Sequence, residues 1–179
     1  MNRLFGTDGV RGIANSELTP ELAFNLGKAG AYVLSKSVER PTVLIGKDTR
    51  ISGDLLEDAI SAGILAMGGD VVKVGVLPTP AIAYLVRSQG AAAGVMISAS
   101  HNPFEYNGIK FFRGDGFKLD DDLEDEIEDI IVRNIDVNSH ITGRRLGRSI
   151  EAEEGASTQY AEFLKATTLV DLALIERNL

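Results

Sequence analysis

Val95-Met96-Ile97-Ser98-Ala99-Ser100-His101-Asn102-Pro103-Phe104-Glu105-Tyr106-Asn107-Gly108-Ile109-Lys110 is the stretch on which the reading of the fold turns. It opens apolar and becomes polar within three residues. Val95, Met96 and Ile97 form a short apolar run, the pattern of a strand covered on both faces. The chemistry then switches to Ser98, Ser100, His101 and Asn102. Pro103 disfavours helix at Asn102, so the chain leaves the strand as a loop. Asn107-Gly108 reads as a turn dipeptide, and Ile109 to Phe112 as the next strand. Only a loop separates the two strands, so the second is expected to run antiparallel to the first.

Upstream of this stretch, strands and helices alternate. Thr19-Pro20-Glu21 opens a helix, with Thr19 as N-cap and Pro20 in the first turn. Leu22, Leu26, Ala29 and Val33 face a core at helical spacing. Thr42 to Ile45 is a strand, and Gly46-Lys47-Asp48-Thr49-Arg50 is the loop after it. Ser52 is expected to cap a second helix that packs through Leu55, Leu56, Ala59, Ile60, Ala62, Gly63 and Ala66 and ends at Gly68-Gly69. Val71 to Val74 is a strand. Pro78-Thr79-Pro80 forces an extended turn into a short helix carrying Ile82, Leu85 and Val86. Such alternation implies helices on both faces of a mainly parallel sheet, made mixed by the strand after the Ser98–Tyr106 loop.

Residues 1–18 carry Gly6, Gly9 and Gly12 around Thr7, Asp8 and Arg11. The expectation is a loop, neither helix nor alternating strand. It is not a dinucleotide fingerprint, because the glycine spacing is wrong and no strand precedes it. Asp120 to Asp129 is expected to be an amphipathic helix with a solvated acidic face, its first-turn acids favoured by the helix dipole, rather than a metal site. Asn134 to Arg148 reads as a connector, with His140 a surface residue. Ser157 to Lys165 reads as a helix with Tyr160, Phe163 and Leu164 on one side. The domain expectation is residues 1–150 as one domain and 151–179 as a linker with the first helices of another.

With 179 residues the chain can fill one domain and begin a second. The net charge of −8 argues against general nucleic-acid binding, which requires a basic surface. There is no cysteine, which removes disulfides, thiol catalysis and zinc–thiolate sites together. No run has membrane-spanning length, and Met1 to Phe5 lacks a signal-peptide apolar core. The expectation is a cytoplasmic protein with no membrane partner.

A lone serine hydroxyl needs activation to act as a nucleophile. There is no Gly-x-Ser-x-Gly elbow and no Walker A pattern. Neighbouring side chains in extended chain point apart, so a Ser100–His101 dyad is disfavoured. Lys47, Asp48 and Arg50 sit at the carboxyl end of a strand, where ligands usually bind in α/β sheets. Their expected role is support, with Asp48 orienting Lys47 or Arg50, or touching the loop around Ser100. The alternative is a set of surface charges that pair with one another.

Ser98-Ala99-Ser100-His101-Asn102-Pro103, followed by Tyr106-Asn107-Gly108-Ile109-Lys110, resembles the phosphoserine loop of the α-D-phosphohexomutases. Phe5-Gly6-Thr7-Asp8-Gly9-Val10-Arg11-Gly12 and Phe104-Glu105-Tyr106 resemble the bacterial phosphoglucosamine mutase branch more than the phosphomannomutase or phosphoglucomutase branches. The resemblance implies the three-layer α/β/α first domain of that family. It implies an isomerase that interconverts glucosamine-6-phosphate and glucosamine-1-phosphate through a phosphoserine and a sugar bisphosphate, supplying UDP-N-acetylglucosamine and cell-wall precursors. By the same resemblance Ser100 carries the phosphoryl group and, through its phosphate, ligates magnesium, one ion per active site. Lys110 and Arg11 stabilise the transferring group, and His101 lies beside it as a candidate acid or base. Asn102 and Asn107 shape the loop, with Lys47, Asp48 and Arg50 in support. A sugar 1,6-bisphosphate is the implied activator, a phosphosugar the substrate, and a homodimer one option for assembly. The Asp-x-Asp-x-Asp-Arg metal loop and the later sugar- and phosphate-binding loops of the family are absent, so the chain by itself is expected to be inactive. A phosphomannomutase or phosphoglucomutase, or a stand-alone domain without catalysis, remain the alternatives.

Overall fold

The computed structural model describes residues 3–137, 141–152 and 155–167. Its elements are β1 (Val10–Ile13), α1 (Pro20–Ser35), β2 (Thr42–Lys47), α2 (Gly53–Ala66), β3 (Asp70–Val76), α3 (Thr79–Gln89), β4 (Ala93–Ile97), β5 (Tyr106–Arg113), α4 (Asp121–Val132), a 3₁₀ turn (Gly143–Arg145), β6 (Ser149–Glu151) and α5 (Ala156–Thr167). The strands form a six-stranded sheet in the order β1-β5-β4-β2-β3-β6. β4, β2, β3 and β6 run parallel, and β5 is antiparallel to both β4 and β1. This is the mainly parallel, mixed sheet expected.

Two apolar layers hold the sheet. Val10, Val95, Ile97, Ile109 and Phe111 point to one face and pack with Leu26, Ala29, Leu56, Ile60 and Ile127 of α1, α2 and α4. Met96, Phe112 and Leu44 point to the other face and pack with Ile82, Leu85 and Val86 of α3 and Tyr160 of α5. The period-two alternation of β4 and β5 assigns successive side chains to opposite layers. All five residues of β4 are buried, and each fully buried Val or Ile contributes about 1.5–3 kcal/mol. The strand feeding the polar loop is therefore fixed in the middle of the sheet.

Several sequence expectations are corrected. Asn107 and Gly108 are not a turn but the start of β5, paired in register with Gly12 and Arg11. Asn107 is fully buried; its side chain donates to Ser52 Oγ at 2.9 Å and accepts from the Gly108 N–H. Gly108 is required by close approach, since a Cβ there would lie 2.7 Å from the Ser98 carbonyl oxygen. Residues 10–13 are not loop but the edge strand β1, which gains its backbone partners from β5. Ser52 makes no side-chain cap to α2, its hydroxyl being taken by Asn107. Leu55 and Ala62 face outward from α2, whereas Glu57 and Ser61 are buried. Glu124 of the acidic helix is likewise buried, paired with Lys118.

The connector expected over 134–148 is followed by an unforeseen strand: β6 joins the sheet edge beside β3. The domain boundary expected at 150 falls within it. Tyr84 of α3 stacks on Phe163 of α5 with ring centroids 4.1 Å apart, while Leu164 is largely exposed. His140 and the apolar positions after Thr168 lie outside the described residues. Among the described residues no helix is long and apolar enough to cross a membrane.

Candidate active site

Register explains how distant residues meet. Arg11 pairs with Gly108, Met96 with Lys110, and the Ser98 N–H donates to the Gly108 carbonyl. Arg11 and Ser98 therefore flank Gly108 in one row across three strands, and Met96 and Lys110 form the next row on the same face. That face belongs to α3, whose first residue, Thr79, closes the side. The result is a cleft of about 250 Å³ lined by Asp8, Arg11, Thr79, Met96, Ser98, Ser100 and Lys110. Gly108 leaves its centre open, since any side chain there would meet Arg11 Cγ as well as the Ser98 carbonyl.

Ser100 is exposed and held at φ 57°, a left-handed conformation uncommon for a residue with a side chain. Its N–H donates to Ser98 Oγ at 3.0 Å, and Ser98 Oγ in turn donates to Asp48 Oδ2 at 2.6 Å. The chain is thus not extended at Ser100, which corrects the argument against proximity with His101: Ser100 Oγ and His101 Nδ1 lie 3.4 Å apart. That separation is long for a hydrogen bond between these atoms.

Arg50 faces the loop. Its guanidinium donates to the carbonyls of Ser100 at 3.0 Å, Asn102 at 2.9 Å, Pro103 at 2.6 Å and Tyr106 at 3.1 Å. Nε donates to Asp48 Oδ2 at 3.0 Å, and Asp48 Oδ1 accepts the Arg50 backbone N–H. The five-donor fork suits such a task, because it satisfies several carbonyls in one plane. Asn102 joins through its carbonyl and through its N–H to the Ala99 oxygen. The Asp48–Arg50–Ser98 cluster therefore sets the course of the loop that presents Ser100.

Lys47 belongs to a separate cluster. It bonds Glu57 Oε2 at 2.5 Å and Asp54 Oδ1 at 2.7 Å under α2. Burial pulls its pKa down, but hydrogen bonds from its ammonium to Asp54 and Glu57 outweigh burial and raise it. Of the three options expected for Asp48, it meets Arg50 and, through Ser98 Oγ, the loop around Ser100, while Lys47 pairs with Glu57 and Asp54. Asp48 and Arg50 do pair with each other, but not as surface charges, since the Lys47 and Arg50 side chains are only 15% and 10% exposed.

Sequence reasoning missed Asp8, Ser98, Thr79 and Glu57. Asp8 had a signal, an acid placed between Gly6 and Gly9 beside Arg11. Its carboxylate lies 3.3 Å from Arg11 Nη2 and 3.7 Å from Lys110 Nζ. Glu57 had none, because its partner Lys47 is on another element.

The domain is a three-layer α/β/α unit whose cleft draws Arg11 from β1, Ser100 from the loop after β4 and Lys110 from the middle of β5. The sequence matches the family described as phosphoglucomutase/phosphomannomutase, alpha/beta/alpha domain I, over residues 2–137, and the chain belongs to that family. It is 57% identical over 172 residues to the phosphoglucosamine mutase of Clostridium botulinum (strain Loch Maree / Type A3) and 59% identical over 172 residues to that of Clostridium novyi (strain NT). Each alignment covers 96% of this chain and 38% of the relative, so the chain spans well under half the length of the curated relatives it matches. The crystal structure of a phosphoglucomutase/phosphomannomutase family protein from Burkholderia thailandensis superposes with a TM-score of 0.72 at 25% identity, over 90% of this chain and 35% of that one.

Proposed function

We propose that this chain is the phosphoserine-bearing portion of a phosphoglucosamine mutase, with Ser100 as the phosphoryl carrier and glucosamine phosphate as substrate. The observation that supports it best is the cleft itself, where Ser100, Arg11 and Lys110 converge from three separate segments. The names of the relatives favour glucosamine over mannose or glucose.

In the reading proposed, the phosphorus bound to Ser100 Oγ is attacked by a sugar hydroxyl oxygen. The bond to Oγ breaks as the new P–O bond forms. The sugar hydroxyl loses its proton to a base, with His101 the candidate, and the departing Oγ takes a proton up. The transition state is loose and its charge is spread over the equatorial oxygens, so catalysis rests on placing cations beside them. Arg11 offers two parallel donors and Lys110 a point charge. The phosphorylated sugar, now a bisphosphate, turns over and returns its other phosphoryl group to Oγ. A trace of sugar 1,6-bisphosphate would phosphorylate resting Ser100.

The magnesium implied by the family is not matched by these residues. Among the described residues no group of three or more His, Cys, Asp or Glu could hold a metal ion. Asp8, the carboxylate in the cleft, already faces two cations. A phosphate on Ser100 would offer oxygen ligands of the kind magnesium takes, but the carboxylates would have to come from sequence that this chain does not span.

The test is conversion of glucosamine-6-phosphate to glucosamine-1-phosphate, with magnesium and a trace of sugar bisphosphate. It uses the full-length protein and its Ser100→Ala variant. Turnover is expected from the first and a loss of at least about a thousandfold in the second, the scale of removing a covalent nucleophile. Full activity in Ser100→Ala would overturn the carrier assignment. Faster turnover of mannose or glucose phosphates would move the substrate to another branch.

A further inference from the structure

We infer that Asp8 is the resident counter-anion of the phosphate seat: its carboxylate occupies the place between Arg11 and Lys110 that a phosphate monoester takes, and yields when the phosphate arrives. This rests on the reading of the cleft as a phosphoryl-transfer site and adds to it a residue that governs exchange there.

Three observations carry it. Asp8 is the common ion-pair partner of both cations, at 3.3 Å from Arg11 and 3.7 Å from Lys110. Both distances are long. Committed pairs elsewhere in the chain, Arg40–Asp70 and Arg113–Asp120, close to 2.7 Å, the normal charge-assisted length. Second, Asp8 sits at the tip of a tight turn closed by Gly6 and Gly9, whose N–H and carbonyl groups bond reciprocally at 3.0 and 3.2 Å. Gly9 has φ 83°, and a Cβ on it would lie 2.3 Å from the Ile109 carbonyl oxygen, so only glycine brings the turn this close to β5. The turn is rigidly placed, but the Asp8 side chain is 54% exposed and can rotate into solvent. Third, the charges match poorly. One carboxylate balances one of the two cations, whereas a phosphate monoester carries about −1.5 to −2 and balances both.

A phosphate therefore displaces Asp8, and Asp8 competes for the seat when the phosphate must leave. The chain gives up some affinity and gains release, which a mechanism with a reorienting bisphosphate requires. The phosphate could be that on Ser100 or that of an incoming sugar, and the chemistry of the seat is the same for both.

The experiment is a titration of the chain with inorganic phosphate at constant ionic strength, followed by ³¹P NMR and calorimetry. It compares the unaltered protein with Asp8→Asn and Arg11→Ala. Asn keeps the shape and removes the charge, and among the described residues no hydrogen bond to the Asp8 carboxylate supports the turn, so circular dichroism and the melting temperature should hold. Asp8→Asn is expected to bind phosphate about threefold to tenfold more tightly, the scale of removing one exposed carboxylate from two cations. Arg11→Ala is expected to bind more weakly. An unchanged or weaker affinity in folded Asp8→Asn, or no binding at all, would overturn the inference. A second arm uses protein with genetically encoded phosphoserine at 100. If it no longer takes up free phosphate, the seat belongs to the phosphoserine; if uptake continues, it belongs to the incoming ester. The titration does not pass through the Ser100 hydroxyl, so its outcome is separate from the Ser100→Ala turnover test.

Discussion

Arg50→Ala should loosen the loop that presents Ser100 before anything else. The side chain is 10% exposed and donates to four loop carbonyls and to Asp48. A hydrogen bond from a charged donor contributes about 1.5–3 kcal/mol, and breaking one partner of a buried pair costs about 3–5 kcal/mol. These do not add, because water reaches the loop carbonyls once the guanidinium is gone and Asp48 is itself a quarter exposed. The expected loss is about 2–4 kcal/mol, between one charged bond and a broken pair. Arg50→Lys should recover less than half, since one ammonium cannot span carbonyls that a planar fork reaches together. Urea unfolding gives the global term. Amide exchange gives the local one, at Asn102 and Tyr106, whose N–H groups close turns onto the Ala99 and Pro103 oxygens. An Arg50→Ala protein with an unshifted urea midpoint and undiminished protection at those amides would refute the clamp.

Gly108→Ala should destabilise the chain by about 1–3 kcal/mol, as overpacking does, because its methyl would press on the Ser98 carbonyl oxygen and Arg11 Cγ. Phosphate affinity should fall with it; a melting temperature within a degree of the unaltered chain would contradict the close-approach account. Asp70 is held below the usual carboxylate range by hydrogen bonds from Arg40, opposed by partial burial and helped by the Arg148 N–H. Its folded pKa lies below its unfolded value of about 3.9, so its stabilisation is complete above that pH and is lost as pH falls through the folded pKa. The stability difference between the unaltered chain and Asp70→Asn, about 1 kcal/mol at neutral pH given the exposure of Arg40, should shrink below about pH 4. A difference that stays constant down to pH 2.5 would show that the pair is not the cause.

Much of this protein is legible along the chain because its signals are local. Alternating strands and helices, the Thr19 cap and the Pro78-Thr79-Pro80 entry into α3 each depend on neighbours within a turn or two, and the structure keeps them. Ser100, Arg11 and Lys110 were legible through a motif and its resemblance, and the structure gathers them into one cleft. What failed depended on partners far away in sequence. Asn107-Gly108 has the composition of a turn, yet the ladder to β1 and the bond to Ser52 make it strand. Glycine marks both a positive φ and a tight approach, and the sequence does not distinguish them.

Residues 10–13 read as loop because an edge strand obtains its hydrogen bonds from its neighbour, not from its own pattern. The same holds for β6. Glu124 read as part of a solvated face and Glu57 carried no signal, but each finds a lysine outside its own helix, which makes its burial tolerable. The sequence by itself determined which residues prefer helix, strand or loop and which carry reactive groups, since those are properties of single residues and short spacings. Only the tertiary structure decided the register that puts Arg11, Lys110 and Ser98 on one sheet face and Asp8 over both cations, because register depends on pairing between strands nearly a hundred residues apart.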